Sequence, residues 1–275
     1  MANTMDRTSA LKKTFPFEFF YQIVALVVAF ILVHSIYVTL VRPTAAKVIQ
    51  EQAILIEQDD NYVPERSVYV VIKDYEQEAC FVLLLWAIAM MGYKWTISFR
   101  ERGLLLMDLV PLSKGISILP EDSREYSRPI QALPERERDY LLPRCLYTAL
   151  HRFRSTRNIQ SVATTVREMS ETESERLESE LSMVRYIAWA IPSIGFIGTV
   201  RGIGAALGQA HKAVEGDISG VTQNLGTAFN STFVALVLSI ILMFLLHQLQ
   251  HMQERLVLDT QDYVDEHLIE KLRED

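Results

Sequence analysis

Cysteine is scarce in this chain: Cys80 and Cys145 are the only two among 275 residues, too few for a disulfide framework. On the topology derived below they lie on opposite sides of the membrane, and both read as packing residues. Glycine and proline are also sparse, at 11 and 9, which argues against disorder and favours a helix-rich body. Basic charge is in deficit. With 27 Lys and Arg against 34 Asp and Glu, the net charge is −7 and nucleic-acid binding is not expected. No glycine-rich dinucleotide fingerprint, phosphate-binding loop or nucleophile motif occurs, so neither enzymatic activity nor a cofactor is expected.

What the chain has in abundance is clustered hydrophobicity. Apolar stretches cover 17–41, 79–99, 186–210 and 225–249. Each reaches the ~20 residues that a helix needs to cross a hydrocarbon core about 30 Å thick. The expected fold is therefore all-α: a polytopic membrane protein with four transmembrane helices and long cytoplasmic helical extensions. The first stretch is too long for a signal sequence, and no small-residue cleavage site follows it. Arg7, Lys12 and Lys13 precede it, while Lys94, Arg100 and Arg102 follow the second stretch, which puts both flanks in the cytoplasm. Residues 1–16 are then a cytoplasmic N-terminus. The 42–78 segment, with Glu51, Glu57, Asp59, Asp60, Glu65, Asp74, Glu76 and Glu78, reads as a periplasmic loop. Residues 211–224 read as a periplasmic hairpin, short enough to make the third and fourth spans antiparallel neighbours.

The cytoplasmic region, 100–185, opens with Pro111, Pro120, Pro129, Pro134 and Pro143, which predict loops and short helices. From Arg144 to Met183 prolines are absent, and Val162, Val166, Met169, Leu177, Leu181 and Val184 recur at helical spacing. The pattern predicts one long helix leading into the third span. In the tail, 250–275, Met252, Leu256, Tyr263 and Leu268 continue an apolar stripe from Leu249, predicting an extension of the fourth span packed against that long helix. The acidic run Glu171, Glu173, Glu175, Glu178 and Glu180 reads either as a solvated helix face or as a surface for a basic partner.

The third span carries the most specific pattern, Pro192-Ser-Ile-Gly-Phe-Ile-Gly-Thr-Val-Arg-Gly202. Gly195, Gly198 and Gly202 fall close to one face, where they let a neighbouring backbone approach; Gly204 and Gly208 repeat the small-xxx-small spacing. Pro192 removes an internal hydrogen bond, so the freed carbonyl must find protein, a hydroxyl or water, which places it inside a bundle. Thr199 follows about two turns later, and the fourth span offers Thr227, Asn230, Ser231 and Thr232. A single membrane threonine often just bonds back to its own helix, whereas two facing patches beside a proline carry more weight.

This third-span pattern resembles the signature of the MotA/TolQ/ExbB proton channel family, and Leu225-Gly-Thr-Ala-Phe-Asn-Ser-Thr-Phe-Val-Ala-Leu236 resembles the paired final helix of TolQ and ExbB. The resemblance implies that Thr199 and Thr232 line an ion pathway, with Thr227 and Ser231 beside them, while Pro192, Gly195, Gly198 and Gly202 shape the helix packing. Two spans before the cytoplasmic region match the layout of MotA; TolQ and ExbB have one there. The family likeness further implies a homopentamer around a dimer of single-span MotB/TolR/ExbD-like subunits in the bacterial inner membrane, with both termini cytoplasmic.

Arg201 admits three readings: snorkelling at the outer end, repelling cations as a possible pore mouth, or pairing with an accessory subunit's acid. His34, inside the first span, reads as a packing residue facing lipid, with a relay role as the rival. His247 and His251 are spaced i, i+4, but no third ligand is apparent and no metal site is expected. No Asp or Glu lies near the middle of any span. A proton path normally uses a titratable carboxylate, so the chain is expected to borrow the Asp of its partner. The expected function is a stator-type subunit conducting H⁺ or Na⁺ and coupling ion flow to work. A non-conducting oligomeric scaffold that recruits cytoplasmic partners is the alternative.

Overall fold

The computed structural model describes residues 3–58, 62, 65–107, 109–110 and 117–274, with side chains from Phe19 onward except that of Glu57. The side chains of Arg7, Lys12 and Lys13 thus fall outside the described set, as do Asp59, Asp60 and Pro111. The described chain is helical, with no strand beyond one isolated parallel bridge between Ile118 and Leu272. Four helical stretches are long and apolar enough to cross a membrane: Phe19–Ile56, Tyr75–Leu104, Ile159–Gly208 and Ser219–Lys271. The chain divides into two compact units, residues 1–91 with 183–246 and residues 92–182 with 247–275.

In the first unit, α1 (Asn3–Ile36) runs through a π-helical turn, Tyr37–Val41, into α2 (Arg42–Gln58). The segment read as a loop from residue 42 is therefore helical as far as Gln58. Pro43, which offers no N–H, would ordinarily end a helix, but the wider i→i+5 turn just before it absorbs the missing bond. A short α3 (Val68–Val71) precedes α4 (Tyr75–Leu104), whose Val82 packs with Val33, Tyr37 and Val41. The Trp86 indole donates to Gln22 O at 2.9 Å, and the Tyr21 hydroxyl donates to Ala89 O at 3.0 Å, which ties α1 to α4.

The second unit contains three one-turn helices, α5 (Ser123–Tyr126), α6 (Arg128–Gln131) and α7 (Glu135–Arg138). Pro129 and Pro134 sit at their starts, where a missing N–H costs nothing. The single helix expected from Arg144 to Met183 is instead a pair, α8 (Leu141–Thr156) and α9 (Ile159–Glu180). Arg157 adopts a left-handed conformation at φ 51°, and the Asn158 side chain then caps α9 by accepting the Ser161 N–H at 2.7 Å. Local capping thus overrides an apolar period that runs through the break. Leu142, Leu146, Leu150 and Phe153 of α8 join Val162 and Val166 of α9 in one core. That core also takes in Tyr263 and Leu268 of the expected C-terminal stripe, together with Val257 and Val264.

Completing the helices, α10 (Ser182–Gly208) and a short α11 (Ala210–Val214) lead to α12 (Ser219–His267), followed by a 3-10 turn at Ile269–Lys271. Asp217 prepares the start of α12: its carboxylate accepts the Ser219 N–H at 3.0 Å and is bonded by the Ser219 hydroxyl. Those two bonds hold its carboxyl below the usual carboxylate range.

Candidate functional site

The site grows from a close helix contact. Along α10, Val184, Ile187, Ala188, Ile191, Gly195, Gly198, Gly202 and Ala206 are buried, a stripe at helical spacing. Phe196, Ile197, Val200 and Leu207 on the opposite side are exposed, as are Phe229, Phe233, Ile240 and Phe244 of α12. Apolar surface on that scale suits lipid or neighbouring subunits, not water.

The three buried glycines each meet α12 one turn apart, and in antiparallel order. A Cβ added at Gly195 would overlap the Ala235 Cβ and lie 3.1 Å from the Ser231 carbonyl oxygen. At Gly198 it would lie 2.6 Å from the Ser231 Cβ, and at Gly202 2.7 Å from the Ala228 Cβ. Backbone atoms of α12 also crowd the Gly195 and Gly202 positions, and at all three the nearest atom is a Cβ, which no side-chain rotation moves. Gly204, Gly208 and Gly226 have open space, so the second small-residue pair is not part of this contact.

Such proximity brings the threonines together. Thr199 and Thr232 meet hydroxyl to hydroxyl. The Thr199 hydroxyl also lies 3.0 Å from Ala228 O and 3.4 Å from Gly195 O, and the Thr232 hydroxyl lies 3.1 Å from Gly195 O. Each hydroxyl has one proton to give. A consistent arrangement has Thr232 donating to Gly195 O and Thr199 donating to Ala228 O or to Thr232, which leaves lone pairs free to accept. Both residues are only part-buried.

The remaining predicted residues divide. Ser231 is fully buried against Gly198 and donates to Thr227 O at 3.0 Å, back into its own helix. Thr227 is half-buried one turn away and serves that bond with its carbonyl. Pro192 lies within α10, and the carbonyl it frees is that of Ala188. The Ser239 hydroxyl of α12 donates to that carbonyl at 3.1 Å. Sequence reasoning asked for such a donor without naming Ser239. Its apolar surroundings hid it, although the antiparallel register places it level with Pro192.

Arg201 finds its acid within the chain. Its Nε lies 2.6 Å and its Nη2 2.8 Å from the two carboxylate oxygens of Glu76, a two-pronged pair. Glu76 belongs to the first turn of α4, and its Cγ passes 3.3 Å from the position that a Cβ on Gly198 would occupy. The glycine therefore makes room for both Ser231 and Glu76. Nearby, Glu78 is buried between Arg42 and His34, the histidine Nδ1 lying 2.7 Å from Glu78 Oε1. His34 also stacks on Phe30 at 5.4 Å. Rather than merely facing lipid, this histidine is tied to a carboxylate that sequence reasoning had left in a loop. The signal was present in the acid-rich stretch before the second span, but only the α2 extension and the α4 start bring it level with the first.

Residues 137–262 match the MotA/TolQ/ExbB proton channel family. No curated protein and no solved structure matches the chain. The matched segment includes α10 and most of α12, and hence both threonines and all three contact glycines.

Proposed function

We propose, from that family match in a multi-pass membrane protein, that this chain is the pore-forming, stator-type subunit of an ion-driven motor. The ion is H⁺ or Na⁺, and its passage is coupled to mechanical work or energised transport without bond chemistry by this chain. The reading places it in the bacterial inner membrane with cytoplasmic termini, as a homopentamer around a dimer of MotB/TolR/ExbD-like single-span subunits.

The observation that carries the reading is the Thr199–Thr232 hydroxyl pair, held where three glycines bring α10 and α12 into backbone contact. Thr199 can turn its hydroxyl proton from Ala228 O toward a deprotonated carboxylate while Thr232 keeps its bond to Gly195 O. Glu76, whose side chain reaches the Gly198 contact, is occupied by Arg201, and Glu78 is occupied by Arg42 with His34. A titrating Asp supplied by the partner helix completes the path. Protonation releases that Asp from one threonine pair, and deprotonation lets the next capture it. One unit charge crossing supplies roughly 2.3 kcal/mol per 100 mV. A single hydrogen bond is worth about 0.5–1.5 kcal/mol net, so each ion can break and remake more than one.

Purification together with co-expressed single-span membrane proteins, followed by imaging of the particle, tests this assembly. Five copies around two Asp-bearing helices are expected. A closed ring with no central helix favours the scaffold.

A further inference from the structure

Independently of ion conduction, the second unit holds a cavity of about 530 Å³ between α8 and the one-turn helices α5 and α6. On α8, Tyr147, His151 and Arg154 fall at i, i+4 and i+7, one face of the helix, and all three line the cavity. Opposite them stand Ser123, Arg124 and Arg128. No carboxylate lines this space.

Arg124, Arg128 and Arg154 are exposed, and three guanidiniums lining one cavity create a positive field that attracts anions. Elsewhere in the same unit Arg102, Arg144, Arg157, Arg167 and Arg176 each meet a carboxylate within 3.5 Å. Among the described residues Arg124, Arg128 and Arg154 meet none. Of the acids around α5, Glu121 is engaged by Arg157 at 2.9 Å, Asp122 accepts the Leu119 N–H at 3.4 Å, and Glu125 does not line the cavity.

A second observation points the same way. The Ser123 side chain is 2% exposed, and its hydroxyl is buried with no hydrogen-bond partner. An unsatisfied buried donor is costly, and it lies at the wall of the arginine-lined cavity. Tyr147 and His151, stacked at 6.4 Å with exposed faces, form an aromatic shelf beside the cations.

We propose that this cavity binds a phosphate-bearing ligand, whose oxygens take the guanidiniums of Arg124, Arg128 and Arg154 and the Ser123 hydroxyl. Phosphoryl oxygens accept in the planar, two-pronged geometry that arginine offers, which a chloride or a lone carboxylate exploits less fully. The shelf accommodates a ring or chain attached to the phosphate. A soluble nucleotide and a lipid headgroup share this chemistry.

The test uses the full chain in nanodiscs of neutral lipid, titrated calorimetrically with pyrophosphate and with ATP, and then in nanodiscs containing phosphatidic acid. Pyrophosphate is expected to bind saturably, and the double variant Arg128→Gln/Arg154→Gln to bind it at least about tenfold more weakly. Ser123→Ala weakens binding by a smaller factor, and Arg167→Gln, whose charge is taken by Glu171 on its own helix α9, leaves it unchanged. Displacement of pyrophosphate by ATP in neutral discs identifies a soluble ligand; displacement only in phosphatidic acid discs identifies a headgroup. Absence of saturable binding to every probe overturns the proposal, as does equal binding by a double variant that retains the wild-type melting profile.

Discussion

The hydroxyl of Thr199 on α10 meets the hydroxyl of Thr232 on α12, and Gly195 O lies within hydrogen-bonding reach of both. Replacing either threonine with valine keeps the shape and removes the polar group. Thr199→Val leaves Thr232 its bond to Gly195 O, so stability falls by only about 1 kcal/mol. Ion-dependent work is expected to vanish while assembly persists, as judged by particle size and by flux in the same preparation.

Gly198→Ala is expected to act differently, through structure. The added methyl meets Ser231 at 2.6 Å and the Glu76 side chain at 3.3 Å, so α10 must move away from both. Overpacking of this kind costs about 1–3 kcal/mol. Gly226→Ala, in open space on the facing helix, serves as the control and should be neutral or slightly stabilising in denaturant titrations.

The proline and its distant hydroxyl form a testable pair. Ser239→Ala leaves Ala188 O, already deprived of its helical partner by Pro192, without a donor, at a cost of about 1–2 kcal/mol. In a Pro192→Ala background the restored N–H bonds Ala188 O directly, and the same serine substitution should then cost far less. A double-mutant cycle measures the difference.

Glu76 and Arg201 should also be coupled. Glu76→Gln leaves a guanidinium facing a neutral amide, and Arg201→Gln leaves a nearly buried carboxylate alone. Each single change is expected to destabilise more than the pair changed together. Because Arg201 is about half exposed, the coupling is set at roughly 1 kcal/mol. Unfolding of the four variants in the same detergent gives the value.

Much of the fold was legible because membrane length and helical period are strong signals. Four apolar runs announced four spans, and the Pro192 to Gly202 pattern announced a tight contact near Thr199. What escaped was set by tertiary register. Glu76 and Glu78 looked like loop acids until α4 began at Tyr75 and carried them onto the bundle. The α8–α9 break hid because Val162 and Val166 keep the apolar period after it, while the deciding residues, Arg157 and Asn158, act through backbone conformation and capping. The Ser123 cavity needs α5, α6 and α8 together, and no linear spacing connects Arg124 with Arg154.

Cys145 offers a check on the second unit alone. It is fully buried, and burial pushes its thiol up to about 12. At about pH 8 almost none is thiolate, so maleimide should leave it unmodified in the folded chain and react only after denaturation.

The proposal rests on a threonine-lined path that takes its titrating acid from a partner, and liposome flux measures this most directly. Purified chain alone should pass no more H⁺ or Na⁺ than empty vesicles, while chain reconstituted with an Asp-bearing single-span partner should conduct, and should stop when that Asp becomes Asn. Selective current through the chain by itself, undiminished by Thr199→Val, would contradict the account.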